Sequence, residues 1–283
     1  MLSRIVLILI VAGLVGCSPA AAGPNTVVAA FYPLAFAAQT MSPSAKVENL
    51  TPPGAEPHDL ELTPRAVGRI ETAGVVLYLS HGFQPAVSDA VKSAKGRAVD
   101  ILQGLPLHSA HAQEAGLTAD PHVWLDPVLF QRIVRRIAGA LPKPAHTADL
   151  IAELRKLHRD YRRGLADCAR KDIVTSHAAF GYLAQRYGLH QVPITGLTPE
   201  SEPRPKQLAH AVTLVRRTHA TTVFFERLVS PRLAETVARE VGARTAVLDP
   251  IEGLTPPEQA HGENYLTLMR ENLAALRKAL TCR

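Results

Sequence analysis

Residues 119–127 read ADPHVWLDP and set one histidine, His122, between two Asp-Pro pairs, beside the only tryptophan of the chain. Proline locks its own φ angle and restricts the residue before it, so this is a stiff turn and not the interior of a helix. Three other polar side chains have comparable settings. His58 lies in PPGAEPHDLELTP, His177 follows the run DIVTS in TSHAAFGYL, and Asp249 closes RTAVLD ahead of Pro250. Three neutral imidazoles and one carboxylate form a four-coordinate donor set of the kind zinc takes. Manganese prefers more oxygen, and copper(I) more sulfur. A histidine taken alone is equally a surface or hydrogen-bonded core residue, and the chain holds 12. The metal reading therefore requires a fold that brings these four side chains together.

The elements that must do so are legible as alternating patterns. Strand-like runs occupy residues 26–32, 46–50, 74–80 and 97–102, and again 172–176, 191–197, 221–226 and 244–249. Helical stretches lie between most of them. Several open with a capping oxygen and a proline, as at Thr63-Pro64, Asp126-Pro127 and Ser230-Pro231, a helix start signal. Strands alternating with helices imply parallel sheets. Residues 146–168 differ. Leu150, Leu154, Leu157, Tyr161, Leu165 and Cys168 make one apolar stripe on an otherwise charged helix. This helix separates four strands from four, and it predicts two similar α/β lobes with a connector between them. A last amphipathic helix covers about 263–281. In open parallel sheets ligands bind beyond the carboxyl ends of the strands. The four candidate ligands all fall there, two from each lobe.

The whole chain sets the compartment. It has 283 residues, 47% hydrophobic and 20% charged, as expected of a folded globular protein. The formal charge of +6 is spread along helices with few aromatics between, which reads as solvated faces and not as a nucleic-acid surface. The opening MLSRIVLILIVAGLVGC has a short positive start and an apolar run too short to span a bilayer comfortably. Its ending resembles a bacterial lipobox, so residues 1–16 are expected to be a signal peptide and Cys17 the lipidated first residue. The other reading is an ordinary signal cleaved near Ala20–Ala22. Export places Cys168 and Cys282 where disulfides persist, and the two suit one bridge tying the connector to the final helix. Two buried free thiols are the alternative. The expected division is a lobe over 17–144, a connector over 145–168 and a second lobe over 169–283.

Taken together, P-x-G-x-EPHD-x-E-x-TP, DPHVWLDP, TSHAAFGYLAQRYGL, FFERLVSPRLAETVAREVGA and LDPIEGLT resemble the bacterial zinc- and manganese-type solute-binding lipoproteins of ABC transporters, cluster A-I. The likeness covers nearly the whole mature chain, in order. It implies two four-stranded parallel lobes joined by one rigid helix, with metal in the cleft between them. It carries the ligand roles onto His58, His122, His177 and Asp249, and implies Zn2+ as cargo, a membrane permease as partner and a monomeric, lipid-anchored protein on the extracytoplasmic face. Manganese-type members usually have glutamate at the third position, so His177 favours zinc. Many zinc members carry a long His- and acid-rich loop before the second ligand. This chain has only LHSAHAQEAG there, with His108 and His111 as weak collectors or plain surface residues. His81, in YLSHGFQP, is a further cleft candidate.

The competing class is a secreted zinc hydrolase, since three histidines with an open water position are a catalytic arrangement. The chain has no HExxH, GxSxG or P-loop pattern, and Asp249 would close the open position. The expectation is a binding protein and not an enzyme. An adhesin is suggested only by surface anchoring.

Overall fold

The computed structural model describes residues 25–110, 116–199 and 205–283. Cys17 and the signal segment lie outside the described residues, as does His111. The order of elements is β1 (Thr26–Ala29), α1 (Tyr32–Met41), β2 (Lys46–Asn49), α2 (Pro64–Thr72), β3 (Val75–Tyr78), α3 (Pro85–Ala90), β4 (Arg97–Asp100), α4 (Pro127–Ala138) and α5 (Thr147–Gly164). Then follow β5 (Asp172–Thr175), α6 (Gly181–Tyr187), β6 (His190–Pro193), α7 (Pro205–Thr218), β7 (Thr222–Phe225), α8 (Arg232–Val241), β8 (Arg244–Val247), α9 (Pro256–Ala260) and α10 (Tyr265–Leu280). They build two four-stranded sheets, ordered β2-β1-β3-β4 and β6-β5-β7-β8. Every strand pair is parallel. The predicted α/β class and the two lobes of parallel sheet are found.

The strands end earlier than the apolar runs predict. β1 stops at Ala29 because Phe31, in an extended conformation, caps a helix with proline in its first turn. Thr63 and Asp126 cap α2 and α4 as expected, accepting from the Ala66 and Val128 amides. At Ser230-Pro231 the helix begins one residue later, with Pro231 itself in the cap position.

The connector is the main boundary difference. α5 ends at Gly164, before Cys168. Residues 167–170 instead run antiparallel to the C-terminus. Arg170 donates to the Leu280 carbonyl and Arg283 to that of Asp167, and Cys168 is joined to Cys282 by a disulfide. Backbone pairing with the chain end takes over the amides and carbonyls that another helical turn would have used.

The stripe on α5 is buried as predicted, with Leu150, Leu154, Leu157, Tyr161 and Leu165 all 2% exposed or less. They join one core that runs through the N-terminal lobe, α5 and α10. The Tyr161 hydroxyl donates to the Met269 carbonyl of α10 at 2.7 Å, which satisfies its polar end inside that core. Further bonds cross between the lobes. Trp124 Nε1 donates to the Pro250 carbonyl at 2.7 Å, and Arg186 pairs with Asp126 at 2.7 Å. Among the described residues no helix is long and apolar enough to cross a membrane.

Candidate metal centre

Four loops at the carboxyl ends of the strands meet between the lobes. His58 stands in the loop after β2 and His122 in the loop after β4. His177 follows β5 directly, and Glu252 lies in the loop after β8. One ligand atom from each falls within 4.8 Å of all the others. The imidazole Nε2 atoms of His122, His58 and His177 lie 3.1, 3.3 and 3.7 Å from Glu252 Oε1. The Nε2 atoms of His122 and His177 are 3.4 Å apart. A tetrahedral centre with bonds of about 2.0–2.1 Å has ligands about 3.3 Å from one another. These four separations, 3.1–3.7 Å, lie close to that value.

The four side chains are 0–3% exposed. Behind His58 and His122 lies an aromatic wall. Phe83 meets the His58 ring edge-on at 4.7 Å, and Trp124 lies 5.2 Å from that of His122. Trp124 in turn packs edge-on against Phe31. The two Asp-Pro pairs around His122 thus hold it against an apolar, aromatic surface.

Two of the three rings are oriented by a carboxylate. His122 Nδ1 lies 2.8 Å from Asp120 Oδ1, which also accepts the His122 amide. His177 Nδ1 lies 2.8 Å from Glu226 Oε1, an oxygen that also accepts from the Ser176 hydroxyl. With Nδ1–H donated outward, each ring turns Nε2 inward, which fixes the tautomer a metal requires. His58 Nδ1 is buried with no hydrogen-bond partner among the described residues. Neither Asp120 nor Glu226 was singled out from sequence. The Asp-x-His spacing of 120–122 was a usable signal, because an aspartate readily accepts from the amide two residues on. Glu226 is 49 positions from His177 and carries no local signal.

The buried acid and the buried rings of the cluster shift one another's protonation. Burial pushes Glu252 up, but the charge of His58 and the hydrogen bonds from His122 and His177 outweigh it and hold Glu252 well below the usual range. Burial pulls His177 down, yet Glu226 and Glu252 together raise it well above its ordinary value. His122 is raised against burial in the same way by Asp120 and Glu252. For His58, without a second carboxylate, burial wins and its pKa falls. Glu56, which accepts from the His58 amide, is pushed up to about 9 by burial and then by the charge of Glu252.

At the fourth corner the structure places Glu252, and not the expected Asp249, beside the three histidines. Asp249 is buried but is not a member of the cluster. Its Oδ2 pairs with Arg227 at 3.0 Å and its Oδ1 accepts from the Ile251 amide at 2.7 Å. Its oxygens are therefore occupied, and burial pushes it up to about 6. Glu252, three residues on, takes the inward place. His81 is exposed and bonded to Thr118. His108 stacks on Tyr182 and pairs with Gln185. Neither belongs to the cluster.

The chain matches the model of a family described as zinc-uptake complex component A, periplasmic, over residues 27–279. It is 36% identical over 277 residues to the high-affinity zinc uptake system protein ZnuA of Bacillus subtilis, covering 90% of this chain and 87% of that one. The crystal structure of the metal-dependent lipoprotein YcdH from Bacillus subtilis superposes with a TM-score of 0.77 at 36% identity, over 90% of this chain and 98% of the other. The Zn(II)-bound structure of AdcA from Streptococcus pneumoniae also gives 0.77, at 33% identity over 90% of this chain. There this chain spans only 57% of the relative's length.

Proposed function

The chain belongs to the zinc-uptake complex component A family, and we propose that it is the extracytoplasmic solute-binding component of an ABC importer, capturing Zn2+ and delivering it to the membrane permease. The observation that carries this reading is the convergence of three imidazole Nε2 atoms and Glu252 Oε1 in one buried pocket between the lobes. His58, His122, His177 and Glu252 are the ligands in this proposal, and Zn2+ is the cargo. Three borderline nitrogens and one oxygen favour zinc over manganese. With Glu252 at the fourth corner no position stays open for a catalytic water, which favours capture over hydrolysis. The relatives support a place outside the cytoplasmic membrane, and the lipobox-like Cys17 supports anchoring there. Cys17→Ser should release the protein from the membrane fraction or leave it uncleaved.

The test is competition for zinc between the purified mature domain and a chelator. One tight zinc per chain is expected. His122→Ala and His177→Ala should each cost more than the roughly 10–100-fold that outer-shell changes typically cost. Wild-type affinity in both variants would overturn the site. Ester or peptide turnover by the zinc form would favour the hydrolase.

A further inference from the structure

The loop that carries Glu252 is held in an unfavourable conformation by side chains that are not members of the cluster. Ile251 has a φ of +56° and is fully buried. For a β-branched residue that left-handed backbone is a true outlier, and such a conformation persists only where its surroundings impose it. The surroundings are on view. Asp249 Oδ1 accepts the Ile251 amide at 2.7 Å and so closes a turn over Pro250. Asn272 of α10 pairs with both backbone groups of residue 249, its Oδ1 accepting from the amide at 2.8 Å and its Nδ2 donating to the carbonyl at 2.7 Å. The other Asp249 oxygen, Oδ2, is taken by Arg227. That guanidinium also binds Glu258 of α9 and Glu271 of α10, both at 2.9 Å. One arginine thus ties together both ends of the segment 249–258. On the side of the N-terminal lobe, Trp124 holds the Pro250 carbonyl and the Gly54 amide holds that of Leu254 at 2.8 Å.

We propose that Asp249, braced by Arg227 and Asn272, is the positioning residue that holds Glu252 Oε1 on the three imidazoles. The inference rests on the zinc-capture reading above and gives Asp249 a role other than ligation. The left-handed turn at Ile251 lets that side chain stay in the core while its neighbour Glu252 faces the histidines. Without the Asp249 carboxylate the turn loses the acceptor that holds it. Ile251 then relaxes, and the fourth donor leaves its place while the three histidines keep theirs.

A double-mutant cycle tests this, with zinc affinity by chelator competition and the visible absorption of the cobalt(II) form as readouts. Asp249→Ala should weaken zinc by about 10–100-fold, the usual range for an outer-shell partner, and should change the cobalt spectrum as Glu252→Gln does. In a Glu252→Gln background the same Asp249→Ala change should have no further effect, because it acts only through Glu252. Asp249→Asn keeps the Oδ1 acceptor and loses the ion pair, so it should fall between wild type and alanine. Equal losses in both backgrounds would overturn the proposal, since a ligand or a general support of the fold adds to the loss of Glu252. Wild-type affinity and spectrum in Asp249→Ala would overturn it too. Failure of the wild-type protein itself to bind zinc would instead refute the capture reading.

Discussion

The two lobes share a strand order but are packed differently, since only the C-terminal lobe adds a second, separate cluster to the core that both share. In the N-terminal lobe β1 is buried throughout, and its sheet packs into the core that continues through α5 and α10. In the C-terminal lobe successive residues of a strand face different cores. Ile173 and Phe224 join the large one, while their neighbours Val174 and Val223 face a separate small cluster. That cluster is built from valines, alanines and Leu233, with side chains of α7 and α8. The segment that carries Glu252 nevertheless belongs to the large core, through Leu248, Ile251 and Leu254. A repeated topology therefore does not imply repeated packing. Both halves of the site rest on the larger core, and the layer of α7 and α8 packs on the separate cluster.

The largest test of this contrast is the Cys168–Cys282 bridge, which anchors the end of α10 to the chain after α5 across 114 residues. In the chain-entropy account a loop of that length is worth about 4–5 kcal/mol. Cys168→Ser with Cys282→Ser should lower the denaturant midpoint accordingly and leave zinc affinity as it was. An unchanged midpoint would remove the stabilising role.

A matched pair of truncations comes next. Val134→Ala in the large core and Val237→Ala in the small cluster should each cost about 2 kcal/mol where they act. Amide exchange should rise across both lobes for the first and only in α7, α8 and β7 for the second. Spread of the Val237 effect to β1 and β3 would show one cooperative unit and dissolve the contrast.

The three clustered histidines also differ in protonation. His58 is held below its ordinary pKa, whereas His122 and His177 are raised. A raised histidine stabilises the metal-free fold fully below its unfolded pKa, and that stability is lost as pH rises through the folded value. Zinc needs the neutral rings and must displace those protons. Apparent zinc affinity should therefore fall as pH falls through the raised values, by up to about tenfold per pH unit for each proton displaced. The zinc-induced rise in melting temperature should shrink with it. Calorimetry in buffers of different ionisation enthalpy counts the protons, and a pH-independent affinity between 5 and 8 would contradict the scheme.

The smallest expected change is one of preference. His177→Glu replaces a borderline nitrogen with a hard oxygen, so the ratio of zinc to manganese affinity should drop by about tenfold or less. An unchanged ratio would mean that His177 does not set selectivity.

The sequence determined the alternation of strands and helices, the stripe on α5 and the proline-flanked or strand-end settings of three histidines, because these are local patterns of period 2 or 3.6 and of turn chemistry. It also marked the two cysteines that pair. The family resemblance put the fourth ligand on Asp249, whereas the structure sets Glu252, three residues on in LDPIEG and after the same strand, beside the histidines. That choice depends on Arg227 and Asn272, 22 and 23 positions away, and on a left-handed turn at an isoleucine whose residue type gives no hint of it. Glu226 carries no local signal for the same reason, since its partner follows another strand. Only the tertiary structure decided which acid is paired away with a cation and which is left to face the histidines. The side chains that impose that difference meet only once the lobes have packed against one another.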